Sequence, residues 1–388
     1  MGYNINLLQE LLDKIELTQT QRKRAEILYT NICKALKETG LDIDFYPQGS
    51  FATKTVVRPF LKGKDKAYDV DVICEVKSLD KDNIRPDHLM SLFQEALDQK
   101  GYAYIQYDKC FTVEYANQEG VDFSIDIIPS VPESPIMISR LLSLTAEPQY
   151  VPSSIAIPDL SGATATWITN NPAGYRTWFE NQVRGFEKRM RESRNNKNAG
   201  SIEDLPEDKA TNLLCNIIKL MKRHRDVFYS RKSSDLKPSS IVISTLVASL
   251  APRIYPTENE GELLSQIIEQ LSYLKNYQKQ VESYGSSISG YVISDIIVRR
   301  GNQWEFKNPT NGLDNILSSW NENPERANHF FDWITKLTTI SQELTTGTMT
   351  HSHRAEVLSD SLQLELPSSS PSEFQVDNHS VSSWRASL

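Results

Sequence analysis

The spacing of apolar residues predicts a chain that begins as a helix and continues as a mixture of strands and helices. Apolar residues recur at helical intervals from about Asn6 to Leu36, and Gly40 is typical of a residue that ends a helix. Residues 68–76 alternate valine and cysteine with polar positions, which predicts a strand. A helix over 87–100 follows. Three shorter strands are then predicted, over 103–107, 111–116 and 121–128.

The second half of the chain has the apolar spacing of a helical domain. Helices are predicted over 173–192, 208–228, 238–251, 260–284 and 324–342. From about 347 onward the chain is rich in serine and poor in residues that build a core, which predicts disorder. We therefore expect an α+β catalytic domain over 1–165 that includes the N-terminal helix, a helical domain over 166–345 and a disordered tail over 346–388.

Carboxylates on the predicted strands are the strongest chemical signal. Asp69 and Asp71 lie two residues apart on one strand, so both point to the same face, where two like charges are costly unless a cation lies between them. Asp126, on the strand before Pro129, is our choice for a third acid; Asp122 lies on the same face by period two and remains an alternative. Three carboxylates form an oxygen ligand set that suits Mg²⁺.

Groups that bind phosphate are predicted on either side of these acids. Gly49 and Ser50 form a turn that opens a short helix and offers main-chain N–H groups and a hydroxyl. Lys219 and Lys222 lie three residues apart on an otherwise apolar helix, so both project to one side, where they can meet a triphosphate across a cleft or simply form a solvated edge.

The residues together indicate a metal-dependent nucleotidyltransferase. In this reaction a hydroxyl displaces pyrophosphate at the α-phosphorus of a nucleoside triphosphate. One Mg²⁺ ion lowers the pKa of the attacking hydroxyl and a second holds the triphosphate, with Mn²⁺ as a substitute. Asp69 and Asp71 are expected to bind both ions, and Asp126 only the ion beside the nucleophile.

Composition restricts the partners and the compartment. The net charge of −8 argues against a surface that coats nucleic acid. No apolar run approaches the ~20 residues that span a bilayer, and no secretory signal is visible. The four cysteines are scattered and form no C-x-x-C pair, which favours a reducing cytoplasm and argues against structural zinc.

Three segments resemble the nucleotidyltransferase motifs of the polymerase-β-like superfamily: PQGSFATKTVVRP (47–59), YDVDVICEV (68–76) and FSIDIIPSV (123–131). Within it, the chain is similar to the CD-NTases, bacterial relatives of cyclic GMP-AMP synthase and oligoadenylate synthases that make signals in CBASS anti-phage operons. The likeness includes IIKLMKRHRDVFY (217–229) and KPSSIVISTLVA (237–248), and covers about residues 1–345. It implies a bilobal enzyme with the active site in the cleft between a mixed-sheet N-lobe and a helical C-lobe.

The resemblance also implies roles and partners. In such enzymes the Gly-Ser turn and three acids act as argued above. Lysines of the C-lobe contact the triphosphate in relatives, and they match Lys222 and, less closely, Lys219. A serine of the next helix also contacts the triphosphate in some relatives, and Ser240 matches it by position. Ile241 stands where relatives often stack an aromatic on the base. The implied product is a cyclic di- or trinucleotide, or a short linear oligonucleotide, made from ATP and other NTPs. It would activate an effector encoded nearby, with a HORMA-type or ubiquitin-transfer-like regulator in some members. Because the zinc insertion of the animal DNA sensor is absent from the sequence, direct DNA sensing is not implied.

Two other functions remain open from the sequence. One is a transferase that adds nucleotides to an RNA or a protein hydroxyl. An RNA acceptor needs a broad basic surface, and the net charge of −8 makes such a surface less expected. The other is a non-catalytic nucleotide-binding module, against which the retained acids count.

Overall fold

The computed structural model describes residues 3–61, 63–65, 67–115, 123–197, 213–230, 232–284, 296–300, 303–345 and 351–364. The helices are α1 (Tyr3–Ile15), α2 (Gln19–Lys37), α3 (Gly49–Ala52), α4 (Pro86–Gln99), α5 (Pro135–Leu144), α6 (Pro172–Lys197), α7 (Leu213–Tyr229), α8 (Ser240–Leu250), α9 (Glu260–Tyr284), α10 (Ser318–Glu322), α11 (Glu325–Thr345) and α12 (His351–Leu362). The strands are β1 (Ile43–Pro47), β2 (Phe60–Leu61), β3 (Lys64–Asp65), β4 (Tyr68–Val76), β5 (Ile105–Gln106), β6 (Phe111–Tyr115), β7 (Phe123–Pro132), β8 (Ile155–Asp159), β9 (Thr166–Asn170), β10 (Val298–Arg300), β11 (Gln303–Glu305), β12 (Lys307–Asn308) and β13 (Asn311–Asn315).

A seven-stranded mixed sheet forms the N-lobe. Its central path runs β1-β4-β7-β6-β5, and β8 joins β7 and pairs in turn with β9. The two central strands, β4 and β7, are parallel, and the other pairs are antiparallel. On β4, Val70 and Val72 are buried in the core that α2 and α4 cover, while Asp69 and Asp71 face away from it. The predicted division of β4 into an apolar and an acidic face is therefore confirmed.

The predicted N-terminal helix is two helices, which corrects both its length and its placement. Thr18 caps α2 with a capping box, in which its hydroxyl accepts from the N–H of Gln21 and the Gln21 side chain accepts from the N–H of Thr18. The apolar residues of α1, among them Leu11 and Ile15, pack with α7 in the core of the C-lobe, and α2 packs on the sheet. The N-terminal helix assigned to the catalytic domain is thus shared between the two lobes.

The C-lobe is mostly helical, as predicted. Its core contains Trp178, Ile217, Leu246 and Trp333 from four different helices, each almost completely buried. Two small antiparallel pairs, β10–β11 and β12–β13, were not predicted. The bilobal α+β architecture expected from the sequence is confirmed, although residues 208–212 of one predicted helix lie outside the described residues.

Part of the predicted disordered tail is folded. Residues 351–362 form α12, and its Leu358 and Leu362 are fully buried against the C-lobe. The carbonyl groups of Leu362 and Gln363 accept hydrogen bonds from the guanidinium group of Arg223 on α7. Two leucines and these bonds outweigh the polar composition of the segment, so the prediction of disorder is wrong for α12. Residues 365–388 lie outside the described residues.

Among the helices of the described ranges, none combines the length and the apolar character that crossing a bilayer requires.

Candidate active site

The three predicted acids lie on the two central strands. In the parallel register of β4 and β7, Asp71 is directly opposite Asp126, and Asp69 is opposite Ser124. Neighbouring strands lie about 4.8 Å apart, so acids from segments far apart in the sequence share one small area of the sheet. The alternative third acid, Asp122, lies outside the described residues.

Hydroxyl groups on neighbouring strands orient two of the acids. The Ser124 hydroxyl donates to Asp69 Oδ1 at 2.5 Å, and the Thr112 hydroxyl, opposite Asp126 on β6, donates to Asp126 Oδ1 at 2.6 Å. Each bond fixes one oxygen and leaves the second oxygen of that carboxylate to another partner.

The acids form a site of concentrated negative charge. Burial, followed by the charges of Asp126 and Asp69, raises the pKa of Asp71 to about 6. Burial also raises the pKa of Asp126, an effect that its hydrogen bond from Thr112 partly offsets. Among the residues that the structure describes, no basic side chain is among the causes of either shift, so none of these residues offsets the negative charge of the acids.

The donor set fits a hard divalent cation. Three carboxylates on one face supply oxygen ligands only, and a cation among them would relieve the repulsion that raises the pKa of Asp71. Within the described chain, no three acidic, imidazole or thiol groups are drawn together into a complete ligand set. Because Asp69 and Asp126 each turn one oxygen toward a hydroxyl, small side-chain rotations would be needed to gather the ligands around an ion.

The Gly-Ser turn lies directly against the acids. Gly49 is the first residue of α3 and has a φ of +63°, which glycine adopts without strain. A Cβ atom at this position would lie 2.7 Å from Asp71 Oδ2. The N–H of Gln48 also donates to the carbonyl of Asp71 at 3.0 Å, so β4 fixes the position of the turn. Only glycine permits this close approach between the turn and the acid.

A cavity of about 240 Å³ opens beside the turn, between the lobes. The N-lobe contributes Gln48, Gly49, Ser50, Ala52 and Thr53, and the C-lobe side contributes Asn170, Pro172, Tyr175, Arg176, Lys222, Ser240, Ile241, Ser244 and Asn308. Four of the predicted nucleotide-binding residues are therefore brought together: Gly49, Ser50, Lys222 and Ser240. Because the cavity joins both lobes and adjoins Asp71 through Gly49, it is the candidate site for a nucleotide.

Lys222 lies almost completely buried at this cavity. Its ammonium group donates to the hydroxyl of Thr55 at 2.7 Å and to the carbonyl of Thr55 at 3.2 Å. Burial, and then the positive charge of Arg225, lower the pKa of Lys222 to about 7. An anion in the cavity would stabilise the charged form of this lysine.

Comparison with known proteins agrees with this geometry. Residues 1–139 match the family model of the Second Messenger Oligonucleotide or Dinucleotide Synthetase domain. A c-di-GMP synthase of Roseivirga ehrenbergii is 24% identical over 343 residues, which cover 87% of this chain and 78% of that protein. The cyclic dinucleotide synthase CdnG of Bradyrhizobium diazoefficiens is 22% identical over 252 residues, 60% of this chain and 55% of that protein.

Solved structures share the whole fold. The CD-NTase CdnG of B. diazoefficiens, in complex with GTP, aligns over 93% of this chain and 98% of its own, with a TM-score of 0.60 and 19% identity. Over nearly its whole length this chain therefore has the fold of the CD-NTases. Vibrio cholerae DncV cyclic AMP-GMP synthase, in complex with nonhydrolyzable GTP, aligns over 91% of this chain and 92% of its own chain, with a TM-score of 0.54 and 16% identity. The predicted polymerase-β-like bilobal fold is thereby confirmed.

Two residues predicted to bind the nucleotide have contacts that the sequence does not reveal. Lys219 does not line the cavity, because its ammonium group binds Glu16 Oε1 at 2.6 Å, just after α1. Ser240 does line the cavity, and its hydroxyl accepts a hydrogen bond from Arg225 at 3.0 Å.

Several residues at the cavity were not predicted from the sequence. Asn170, Arg176 and Asn308 line it, and Thr55, which does not line it, binds the ammonium group of Lys222. Thr55 lies in the motif that follows the Gly-Ser turn, and Arg176 and Asn308 lie in segments 171–182 and 306–334, which also resemble the family. The three residues that line the cavity come from separate elements, β9, α6 and β12, so the fold is needed to show that they lie together.

Proposed function

We propose that this protein is a CD-NTase, a metal-dependent nucleotidyltransferase that joins two NTPs into a cyclic dinucleotide and releases pyrophosphate. The observation that carries the proposal is the register that sets Asp71 opposite Asp126, with Gly49 packed against Asp71 at the mouth of the cavity. This arrangement supports the proposal because the acids that would bind a cation and the main chain of the Gly-Ser turn, which would bind phosphate, are in contact at Asp71 and Gly49.

The residues of the chain divide the work between them. Asp69, Asp71 and Asp126 would hold two Mg²⁺ ions, or Mn²⁺ in their place. These ions supply activation of the attacking hydroxyl and charge neutralisation on the triphosphate. Gly49 allows phosphate oxygens to approach the main chain, and Ser50 adds a hydroxyl donor. Lys222, held by Thr55, contributes a positive charge when an anion occupies the cavity.

Relatives support a cyclic dinucleotide over the other products implied by the sequence. The two curated relatives are named as a c-di-GMP synthase and a cyclic dinucleotide synthase, and the DncV relative is a cyclic AMP-GMP synthase. We keep ATP among the substrates, since the sequence resemblance implies it. We further propose that the product is made in the cytoplasm and serves CBASS defence by activating an effector encoded nearby, under a HORMA-type or ubiquitin-transfer-like regulator.

Incubating the purified full chain with all four NTPs and Mg²⁺ or Mn²⁺ tests the proposal. Phosphatase-resistant products identified by mass should include a cyclic dinucleotide, and pyrophosphate should appear in proportion. The double variant Asp69→Asn/Asp71→Asn should make neither product while keeping the circular dichroism spectrum of the wild type.

Three results would contradict the proposal. Nucleotides added to RNA or to a protein hydroxyl would indicate an acceptor transferase. NTP binding without pyrophosphate release, even with the proteins encoded beside the enzyme, would indicate a non-catalytic module. Product from the double variant would place the catalytic metal site elsewhere.

A further inference from the structure

Three of the residues that line the cavity carry hydrogen-bond donors that a base could meet: Arg176, Asn170 and Asn308. We propose that Arg176, with Asn170 and Asn308, selects guanine over adenine by donating to the N7 and O6 edge of the base. The inference rests on the proposed function and names the substrate class that the site prefers.

Arg176 is one of two charged residues that line the cavity in the described structure. The other, Lys222, is buried and held by Thr55 on the N-lobe side. Arg176 lies in the first turns of α6, and its side chain is 45% exposed. Its nearest acid is Glu180, 3.8 Å from Nε, which exceeds hydrogen-bond distance. The donors of Arg176 are therefore available to a ligand.

The side-chain oxygens of the two asparagines already accept hydrogen bonds. Asn170 Oδ1 accepts from the N–H of Asn171 at 2.7 Å and keeps one lone pair. Asn308 Oδ1 accepts from both the N–H and the hydroxyl of Thr310, each at 3.1 Å, so both of its lone pairs are used. These bonds fix the orientation of both amides. Asn308 gives one amide hydrogen to Asp314, and N–H donors still outnumber free acceptor lone pairs at these two residues.

No carboxylate lines this cavity within the described residues. An adenine base presents the N6 amino group, a donor, beside its N7 acceptor, whereas guanine presents two acceptors, N7 and O6. Donors facing the adenine amino group would leave N–H groups of both partners unpaired, which is costly in a partly enclosed site. Arginine is well suited to guanine because its guanidinium group can donate to N7 and O6 together.

Apolar groups beside these donors provide a surface for the base. Ile241 is 39% exposed at the cavity, and Pro172 and Tyr175 line it next to Arg176. A planar base can cover these groups while its edge meets the donors. The phosphates would then extend toward Ser50 and Lys222, which line the same cavity.

Equilibrium binding of nonhydrolysable nucleotides to the full chain, with Mg²⁺, tests this inference without requiring turnover. The wild type should bind the GTP analogue more tightly than the ATP analogue. The analogue of inosine triphosphate, which keeps N7 and O6, should bind like that of GTP, and the 7-deaza-GTP analogue more weakly. Arg176→Met should weaken GTP binding by about 5- to 150-fold, the usual value of a bidentate contact, and leave ATP binding within about twofold.

A matched control separates base recognition from a general loss of charge. Arg184, also on α6, is exposed and does not line the cavity, so Arg184→Met should leave the affinity for both nucleotides unchanged. In the Arg176→Met variant, removing N7 from the ligand should cost no further affinity, because the contact to N7 is already lost.

Several outcomes would overturn the inference while leaving the proposed function intact. Equal losses of GTP and ATP affinity in Arg176→Met would show that Arg176 contacts phosphate. Equal wild-type affinities for GTP and ATP, or an unchanged affinity for 7-deaza-GTP, would show that no donor reads this edge. Failure to bind any NTP, together with absence of product, would instead overturn the proposed function itself.

Discussion

Replacing Asp71 by Asn should stabilise the metal-free protein while it removes activity. Asn has nearly the same shape as Asp and carries no charge. In the folded chain the carboxylate of Asp71 is half-buried against Asp126 and Asp69, which raises its pKa from the ordinary value of 3.8 to about 6. The charged carboxylate of Asp71 therefore lowers the free energy of unfolding when no cation is bound.

The magnitude follows from the difference between the folded and unfolded pKa. A difference of about two units, at about 1.4 kcal/mol each, corresponds to about 3 kcal/mol. Below pH 3.8 the group is protonated in both states, so the penalty is absent. As the pH rises from there through 6, the unfolded chain releases its proton first and the folded state loses stability. The penalty is complete above pH 6 and is roughly half as large at pH 5.

Unfolding by urea, with EDTA present, measures this effect. At pH 8 the Asp71→Asn variant should be more stable than the wild type, by up to about 3 kcal/mol, and the gain should shrink at pH 5. Asp42→Asn is a control, because Asp42 is exposed and lies outside the acidic cluster. Added Mg²⁺ should stabilise the wild type and not the Asp71→Asn variant. A destabilised variant, or a gain that does not depend on pH, would refute the reasoning.

Three further predictions concern the turn, the cavity and the lobe contacts. Affinity for an NTP analogue should fall as the pH rises through about 7, since Lys222 loses its proton there. Titration calorimetry should find that the affinity of the Lys222→Met variant depends less on pH. Gly49→Ala should abolish turnover, because its Cβ would lie 2.7 Å from an Asp71 oxygen. Gly40→Ala is the control: its backbone has a positive φ that strains alanine, but no atom lies within 4 Å of the added Cβ, so only the thermal midpoint should fall. Arg223→Met should lower the free energy of unfolding, measured in urea, by about 1–3 kcal/mol and should expose α12 to protease, because the ion pair with Asp65 and the hydrogen bonds to the carbonyl groups of Leu362 and Gln363 are lost.

The spacing of apolar residues predicted the bounds of a helix or strand well where that element has a clear periodic pattern of apolar residues. The strand β4 and the helix α9 have the predicted bounds, since alternating or helically spaced apolar residues leave few alternatives. The strand β1 was missed because it is short and ends in Pro47. It lies at the edge of the sheet, where a proline without an N–H group is tolerated.

The acids could be found from spacing, but their surroundings could not. Asp69, Asp71 and Gly49 belong to local motifs whose geometry is set within a few residues. Lys219 has the same local setting as Lys222, yet Glu16, about 200 residues away in sequence, takes it out of the cavity. A salt bridge of this kind depends on how α1 packs, which hydrophobic periodicity does not specify.

The start of α2 is marked in the sequence by a capping box, which apolar spacing alone does not reveal. Thr18 and Gln21 have the spacing of a capping box, and that spacing predicts a helix start inside the run that was assigned to one helix. Local capping residues can therefore divide a long apolar pattern more reliably than the pattern itself.

The position of α1 also bears on how the lobes move. The chain passes from the C-lobe to the N-lobe between α1 and α2, and returns between β9 and α6. Because two covalent connections join the lobes at these points, we expect the cleft to open mainly by rotation about the line between them, whereas a single linker would leave more directions of movement open. The ion pair of Glu16 and Lys219 lies at the first connection and ties it to α7. The acids of the N-lobe and the cavity residues of the C-lobe should therefore approach each other along a restricted path.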